Sequence, residues 1–245
     1  MRNGRPPKFA HVVAQRIVAE ILDNELTPGD MLPPERVMLE RYDVSRGVLR
    51  EALRYLEMQE VIRVRPGPGG GPMVTAPDSQ SLAITLSLLL AIDRTAFGSV
   101  LEARETLEPT MAALAAERAT PEQLAELEQI VAETREAVAD LAAFLRLSRA
   151  FHDAIAGAVN NSVFELLGRA LHLVMASSAG DREYSVRRRR EVAKVHADVF
   201  EAIRDRDPDR ADAMMRHDLT RTYHHLTRAN TGLLERRMTW RDIHQ

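Results

Sequence analysis

The chain has 245 residues, a length that favours about two domains at the usual ~100–200 residues each. Its net charge of −3 excludes general attraction to nucleic acid, and its lack of cysteine excludes disulfides and cysteine-ligated metal or redox sites. The longest apolar run, residues 82–92, is well short of the ~20 residues of a membrane span, and the N-terminus lacks the apolar core of a signal peptide. We therefore expect a soluble, cytoplasmic protein.

The first part of the chain indicates three helices in succession. The first helix ends before the Pro28–Gly29 pair, and its apolar face consists of Phe9, Val13, Ile17, Ile21 and Leu22. A second, short helix covers residues 33–43, with Pro34 suited to its first turn. The third helix covers residues 45–57, where apolar residues recur at helical spacing and Ser45 is suited to the N-cap.

A hairpin follows the third helix. Residues 61–65 alternate apolar and basic side chains, which is typical of a strand, and residues 73–76 return as a second strand. The glycine-rich segment between them, residues 66–72, has an alternative reading as a nucleotide phosphate loop, but no Gly-Lys-Ser/Thr follows and the next element is a strand. A wing tip fits better, because its glycines permit positive φ. Three helices and a hairpin predict a winged helix-turn-helix.

Three arginines recur at four-residue intervals along the third helix: Arg46, Arg50 and Arg54. Taken alone, such a row is a solvated helix face that Glu51 and Glu57 neutralise. The preceding short helix and tight turn favour another role, because this arrangement lets a helix enter the DNA major groove with its N-terminal residues against base edges. We therefore predict that the arginine row is directed at DNA.

The predicted DNA contacts differ in kind. Arg46 and Arg50 lie in the leading turns, and arginine suits bidentate contact with guanine. Ser45 and Gly47 are small enough for the backbone to approach phosphate, and Arg36 suits a phosphate contact from the preceding helix.

Helical periodicity dominates the rest of the chain. The predicted helices cover residues 80–92, 96–118, 121–139, 141–159, 162–178, 184–206 and 209–229, which favours an antiparallel bundle. The predicted fold class is mainly α, with a winged helix-turn-helix and an all-helical effector-binding and dimerisation domain. The predicted boundaries are 1–76 for the DNA-binding domain, 77–80 for a linker, 81–229 for the helical domain and 230–245 for a tail.

Several polar side chains fall inside the apolar faces of these helices: Arg104, Glu108, Ser148, His152 and His196, with His217 less clearly placed. A single core histidine is more often hydrogen-bonded than a ligand. Three histidines and an arginine from four helices are instead typical of the sites that helical bundles build, so we predict a polar internal site. The four arginines at 187–190 are interpreted as a solvated helix start.

The stretch "LTPGDMLPPERVMLERYDVSRGVLREALRYLEMQEVIRVRPGPGGG" resembles the DNA-binding domain of the GntR family of bacterial transcription regulators. The matching motifs are Pro-Gly-Asp, Leu-Pro-x-Glu-Arg, Val-Ser-Arg, Arg-Glu-Ala-Leu and the glycine wing. Two departures are the segment "VMLERYD" and Met58–Glu60, where the family commonly has a glycine before the strand. The resemblance implies DNA contacts by Arg36, Ser45, Arg46, Gly47, Arg50, Gly67 and Gly69.

Residues 79–228 resemble the FCD effector domain of the FadR subfamily. Many members bind a divalent metal through one Asp and three His residues, and the resemblance places His152, His196 and His217 at the three His positions, with Ser148 at the Asp position. Zn²⁺ or Ni²⁺ are the metals that three imidazoles would hold. Arg104 and Glu108 match the family's Arg-x-x-x-Glu, and the implied effector is a small organic acid, although some members bind acyl-CoA without metal.

We therefore predict a homodimeric transcription regulator that binds an inverted-repeat operator in double-stranded DNA and responds to a small-molecule effector. A metal-dependent enzyme using the histidines is one alternative, but His-Glu-x-x-His is absent and no nucleophile–base pair accompanies them. An acyl-CoA-responsive regulator without metal is a second alternative. An architectural DNA-binding protein is a third, and it would require the helical domain to lack a ligand cavity.

Overall fold

A computed structural model of the chain describes residues 9–67, 69–75, 78–178, 185–229, 232 and 234–238. The chain divides into two compact units, Met1–Asp78 and Ser79–Gln245. None of the helices in these described ranges is long and apolar enough to cross a membrane. The elements are α1 (Phe9–Asp23), α2 (Glu35–Tyr42), α3 (Arg46–Met58), β1 (Ile62–Arg65), β2 (Gly71–Val74), α4 (Ser79–Ile92), α5 (Phe97–Arg118), α6 (Pro121–Glu136), a 3-10 turn (Ala137–Ala139), α7 (Leu141–Ala158), α8 (Ser162–Ser178), α9 (Val186–Arg204) and α10 (Pro208–Ala229).

The core of the N-terminal unit forms where α1 packs against α3. The predicted apolar face of α1 is correct for Val13, Ile17 and Ile21, which are buried, and wrong for the two outermost residues, since Phe9 is 63% exposed and Leu22 69% exposed. Both lie at the ends of the helix.

The start of α3 follows the predicted cap. Ser45 has extended backbone angles, and its side chain accepts from the Val48 N–H at 3.5 Å. The chain reverses before it at Asp43, which adopts φ 50° and ends α2. The helix-turn-helix thus depends on a left-handed C-cap and a serine N-cap in adjacent turns.

The hairpin pairs β1 antiparallel to β2, with Ile62 opposite Val74 and Arg65 opposite Gly71. The second strand begins two residues earlier than predicted, so the turn is shorter. Gly69 has φ 74°, and a Cβ at Gly70 would collide with the carbonyl oxygen of Arg65. The tight turn therefore requires glycine at these two positions.

The helical unit matches the predicted helices to within about two residues at their ends. Its largest core joins α5, α6, α7, α9 and α10 around side chains such as Met111, Phe151 and Ile203. Helix α4 begins at Ser79, inside the predicted linker. Part of the predicted tail also packs onto this unit, because Met238 is buried and the Phe97 N–H donates to a tail carbonyl.

Glu60 occupies the left-handed region, with φ 56°. It belongs to the segment Met58–Glu60, which differs from the family resemblance in having no glycine before the strand. We expect Glu60→Gly to stabilise the N-terminal unit by about 0.5–1 kcal/mol. Relief of left-handed strain, roughly 1–2 kcal/mol, exceeds the entropy that glycine adds to the unfolded chain. Native-state hydrogen exchange of α3 amides measures the difference. Glu51→Gly, inside α3, is the control and should lower stability by about 1 kcal/mol; an equal loss in both variants would contradict strain at Glu60.

Candidate functional site

The leading turns of α3 present arginines to solvent. Arg46 and Arg50 are exposed, and Nε of Arg50 lies 3.7 Å from Oε1 of Glu35. Nη1 of Arg36 lies 3.1 Å from Oε1 of Glu40 on the same helix. Exposed ion pairs of this kind are worth roughly 0–1 kcal/mol, so they leave both arginines able to exchange a carboxylate for a phosphate or a base.

The other predicted DNA contacts are also exposed on the N-terminal unit. Ser45 and Gly47 lie at the start of α3, and Gly67 and Gly69 lie in the hairpin turn. Arg63 and Arg65 on β1 are exposed beside that turn, which adds two cations to the wing. The surface combines a helix start and a wing, an arrangement that suits a phosphate backbone on either side of a groove.

A buried polar cluster lies inside the helical unit. Arg104 and Glu108 from α5, His152 from α7 and His196 from α9 are all buried and are brought together as predicted. Ser148 is half-buried and lines the same cavity, one helical turn before His152.

His217 does not belong to this cluster. Its side chain is exposed, whereas its neighbour Asp218 is buried and faces His152 and His196. The prediction that His217 is the third ligand is therefore wrong in its placement, because one residue along a helix turns a side chain by about 100°. The apolar stripe of α10 contained the signal, since Asp218 lies three residues after the buried Met215.

His172 on α8 was missed by the sequence analysis. It is buried, its Nδ1 lies 2.7 Å from Oδ1 of Asp153, and its Nε2 lies 3.2 Å from Oε1 of Glu108. It stands between two leucines in a helix that is apolar over most of its length, so only the neighbouring helices reveal its polar partners.

Two groups of described residues place possible metal-ligand atoms within 4.8 Å of one another: Glu108, His152 and His172, and His152, His196 and Asp218. In the first group Glu108 also pairs with Arg104. Burial alone would raise the pKa of Glu108, but Arg104 and the two histidines outweigh it and hold this pKa well below its ordinary value. Burial alone would lower the pKa of His172, but Glu108 and the hydrogen bond to Asp153 raise it. The first group is thus neutralised by its own cations.

The second group lacks such an internal cation. One nitrogen of His152 and one of His196 each lie 3.6 Å from Oδ2 of Asp218, too far for a hydrogen bond. Burial lowers the pKa of His152, which favours the neutral imidazole. Burial would raise the pKa of Asp218, but the two histidines lower it and favour the carboxylate. Neutral imidazole and ionised carboxylate are the forms that bind metal.

Two details make the second group a candidate metal centre. Both ring nitrogens of His196 are buried and have no hydrogen-bond partner within the described ranges. Nδ1 of His152 lies 2.7 Å from Oε2 of Glu108, although not in hydrogen-bonding geometry, and its Nε2 lies 3.6 Å from Oδ2 of Asp218. A carboxylate behind a histidine, on the side away from the metal, is the usual means of orienting a metal-binding imidazole.

A cavity of about 160 Å³ adjoins this centre. Its polar lining includes Arg104, Ser148 and Arg149, and its apolar lining includes Phe144 and Met175. Arg149 is a second cation that the sequence analysis did not place at the site. A small pocket with two arginines beside a candidate metal centre suits a small anion.

A winged helix-turn-helix with exposed arginines and a separate helical unit with an internal polar cavity together define a ligand-sensing DNA-binding protein. Residues 9–70 match the family of bacterial regulatory proteins described as the gntR family, and residues 99–221 match the FCD domain. The chain belongs to this GntR family and carries an FCD domain. It is a DNA-binding transcription regulator and not an enzyme.

Known proteins resemble the chain along most of its length. It is 28% identical to the HTH-type transcriptional repressor NanR of Cronobacter sakazakii, over 90% of this chain and 87% of that protein. It is 30% identical to the uncharacterized HTH-type transcriptional regulator YcbG of Bacillus subtilis, over 83% of each. Among solved structures, Streptococcus agalactiae GntR matches with a TM-score of 0.70 and 27% identity, covering 88% of this chain and 99% of that chain.

Proposed function

We propose that the chain is a repressor whose operator affinity is set by a small organic acid bound at a divalent metal in the helical unit. The observation that carries this proposal is His196, which is 1% exposed and has two unpartnered ring nitrogens among the described residues. A buried polar group without a partner is costly, and a metal shared with His152 and Asp218 would satisfy it. The repressor names of several relatives favour repression, and a cytoplasmic location accords with that role.

The donor set fits a first-row divalent ion. Ligand atoms at about 2.1 Å from such an ion lie roughly 3.0–3.4 Å apart, so the observed 3.6 Å separations need only a small closure. Two imidazoles and a carboxylate suit Zn²⁺ or Ni²⁺. When bound, the ion supplies Lewis-acidic positions on the cavity side for a carboxylate oxygen.

The size of the cavity favours a small acid over acyl-CoA. A cavity of about 150 Å³ holds one benzene molecule, so 160 Å³ accommodates about six non-hydrogen atoms. Arg104 and Arg149 supply positive charge for the acid, and Phe144 and Met175 supply apolar contact for its carbon atoms. The nucleotide of a coenzyme would exceed this space several times over.

Arg104→Lys tests the effector part of this proposal. Lysine preserves the positive charge beside Glu108 but loses the guanidinium fork, so we expect the acid concentration for half-maximal release of DNA to rise about tenfold. Gel shifts titrated with pyruvate, lactate, malate and citrate measure this concentration. Arg135→Lys, on the exposed side of α6, is the control. An unchanged dose-response in Arg104→Lys would indicate a neutral ligand or a different site.

Effector binding and DNA binding are linked through one coupling free energy. If the acid favours the form of the protein that binds operator weakly, operator must in turn weaken acid binding by the same factor. Couplings of this kind are typically ~1–3 kcal/mol, or about 5-fold to 150-fold in affinity. The proposed mechanism is therefore checked by measuring operator affinity with and without the acid, and acid affinity with and without operator. Neither measurement requires knowledge of the regulated genes.

An exposed apolar stripe on α4 supports the homodimer. Ile84, Leu88 and Ile92 recur every four residues on the side that faces away from α8, and Leu89 lies beside them. Leu89 is 59% and Ile92 72% exposed. A second copy of the chain would cover this stripe by two-fold symmetry, and the dimer would then match an inverted repeat.

Leu89→Glu is expected to convert the dimer to monomer at micromolar concentration, because it places a charge within the proposed apolar contact. Sedimentation velocity measures the change in mass. Leu22→Glu is the matched control, since Leu22 is also largely exposed but lies on α1 in the other unit. A dimer that persists in Leu89→Glu would assign the interface to another surface.

A further inference from the structure

The arginine run at 187–190 is not uniformly solvated. Arg187 is exposed, but Arg188 is 8% exposed and Arg189 6% exposed, so the prediction of a solvated helix start is wrong for these two. Burial of a guanidinium is costly unless it is paired. The run therefore requires another explanation.

A cleft of about 350 Å³ lies between α9 and α10 beside this run. It is lined by Arg188, Glu191, Arg221, His224, His225 and Arg228. None of these residues lines the cavity at the proposed metal centre, so the cleft is a second, separate site.

Positive charge exceeds negative charge in this cleft. Glu191 is its one carboxylate among the described residues, and it lies 3.5 Å from Arg188, 2.7 Å from Arg221 and 3.1 Å from Arg187. The three lining arginines and Glu191 leave a net charge of +2 with the histidines neutral. Nε and Nη2 of Arg188 are buried and lack hydrogen-bond partners within the described parts of the chain.

We propose that this α9–α10 cleft binds a phosphate dianion, either free or as the phosphate group of a small metabolite. Its charge of −2 balances the lining, and the planar guanidinium groups can form paired hydrogen bonds with phosphate oxygens. Arg188 lines the site from α9, and Arg221 and Arg228 line it from α10. The helical unit thus has two anion sites, one at the proposed metal centre and one at the cleft.

Calorimetric titration of the full-length protein tests the cleft. Inorganic phosphate and glycerol 3-phosphate serve as probes at constant ionic strength and distinguish free phosphate from a phosphate ester.

We expect Arg188→Gln and Arg221→Gln each to weaken binding of the better probe by about tenfold or more, because each removes charge-assisted hydrogen bonds. Arg216→Gln is the control, since Arg216 is exposed on α10 outside the cleft and should leave binding unchanged. Circular dichroism verifies folding, and Arg221→Gln is the informative variant if burial makes Arg188→Gln unstable.

Two further outcomes discriminate between sites and ligands. Binding must persist in His196→Ala; its loss there would place the phosphate at the metal centre and overturn the proposal. If neither inorganic phosphate nor glycerol 3-phosphate binds at 10 mM, roughly the upper range of a weak metabolite site, the proposal of a phosphate site is also overturned. If phosphate does not bind but the arginine substitutions weaken gel shifts, the arginines serve the DNA backbone instead.

Discussion

Simultaneous replacement of Arg46 and Arg50 by alanine is expected to abolish specific operator binding while the helical unit remains folded. Both side chains are exposed in the leading turns of α3, where a recognition helix meets base edges. Each lost bidentate contact costs about 1–3 kcal/mol, so the pair costs about 2–6 kcal/mol, or from ~30-fold to more than ~10,000-fold in Kd.

The measurement is a gel shift on an operator selected from random duplexes, at a fixed salt concentration because phosphate contacts depend on it. Arg54→Ala is the graded control, since Arg54 is on the same helix but lies about 12 Å further along it than Arg46 and about 6 Å further than Arg50, at 1.5 Å per residue. We expect it to cost less than either single variant. Wild-type shifts by the Arg46/Arg50 double variant would show that α3 does not read the operator.

The second large effect concerns the metal centre. We expect Asp218→Ala and His196→Ala each to weaken Zn²⁺ or Ni²⁺ binding by more than ~100-fold, because loss of even an outer hydrogen-bond partner costs ~10–100-fold in many metal sites. His217→Ala should bind metal like the wild type, since His217 is exposed one residue away from Asp218. Comparison of the two variants distinguishes Asp218, the α10 ligand that the structure indicates, from His217, the α10 ligand that the sequence analysis predicted.

Ser148→Asp extends the same experiment in the opposite direction. Ser148 lines the cavity one turn before His152, so a carboxylate there can join the ligands and tighten binding. Metal analysis of the purified protein and calorimetry after removal of metal by a chelator give the affinities. Wild-type protein that binds no metal, with no gain in Ser148→Asp, would show that the histidines form a metal-free polar pocket.

Much of the fold could be predicted from local signals. Helix ends follow from caps and breakers such as Ser45 and Pro121, and helical periodicity placed Arg104, Glu108 and His152 on buried faces before any packing was known. These features depend on residues within one or two turns of each other. Local sequence therefore determines them.

Local periodicity did not determine which polar side chains meet. His217 and Asp218 are adjacent on α10, and each has a methionine three residues before it, Met214 and Met215. The packing of α10 against α5 and α9 is what places Asp218, and not His217, in the interior. Likewise, His172 gains its partners from α5 and α7.

The winged helix-turn-helix, the helical unit and the buried faces of its helices could be predicted from short-range patterns of polarity, caps and breakers. The donor set at His196, the 160 Å³ volume of the cavity and the burial of Arg188 could not be predicted in this way. Those three depend on the angles and rotations at which distant helices cross, which are set by the packing of side chains far apart in the chain.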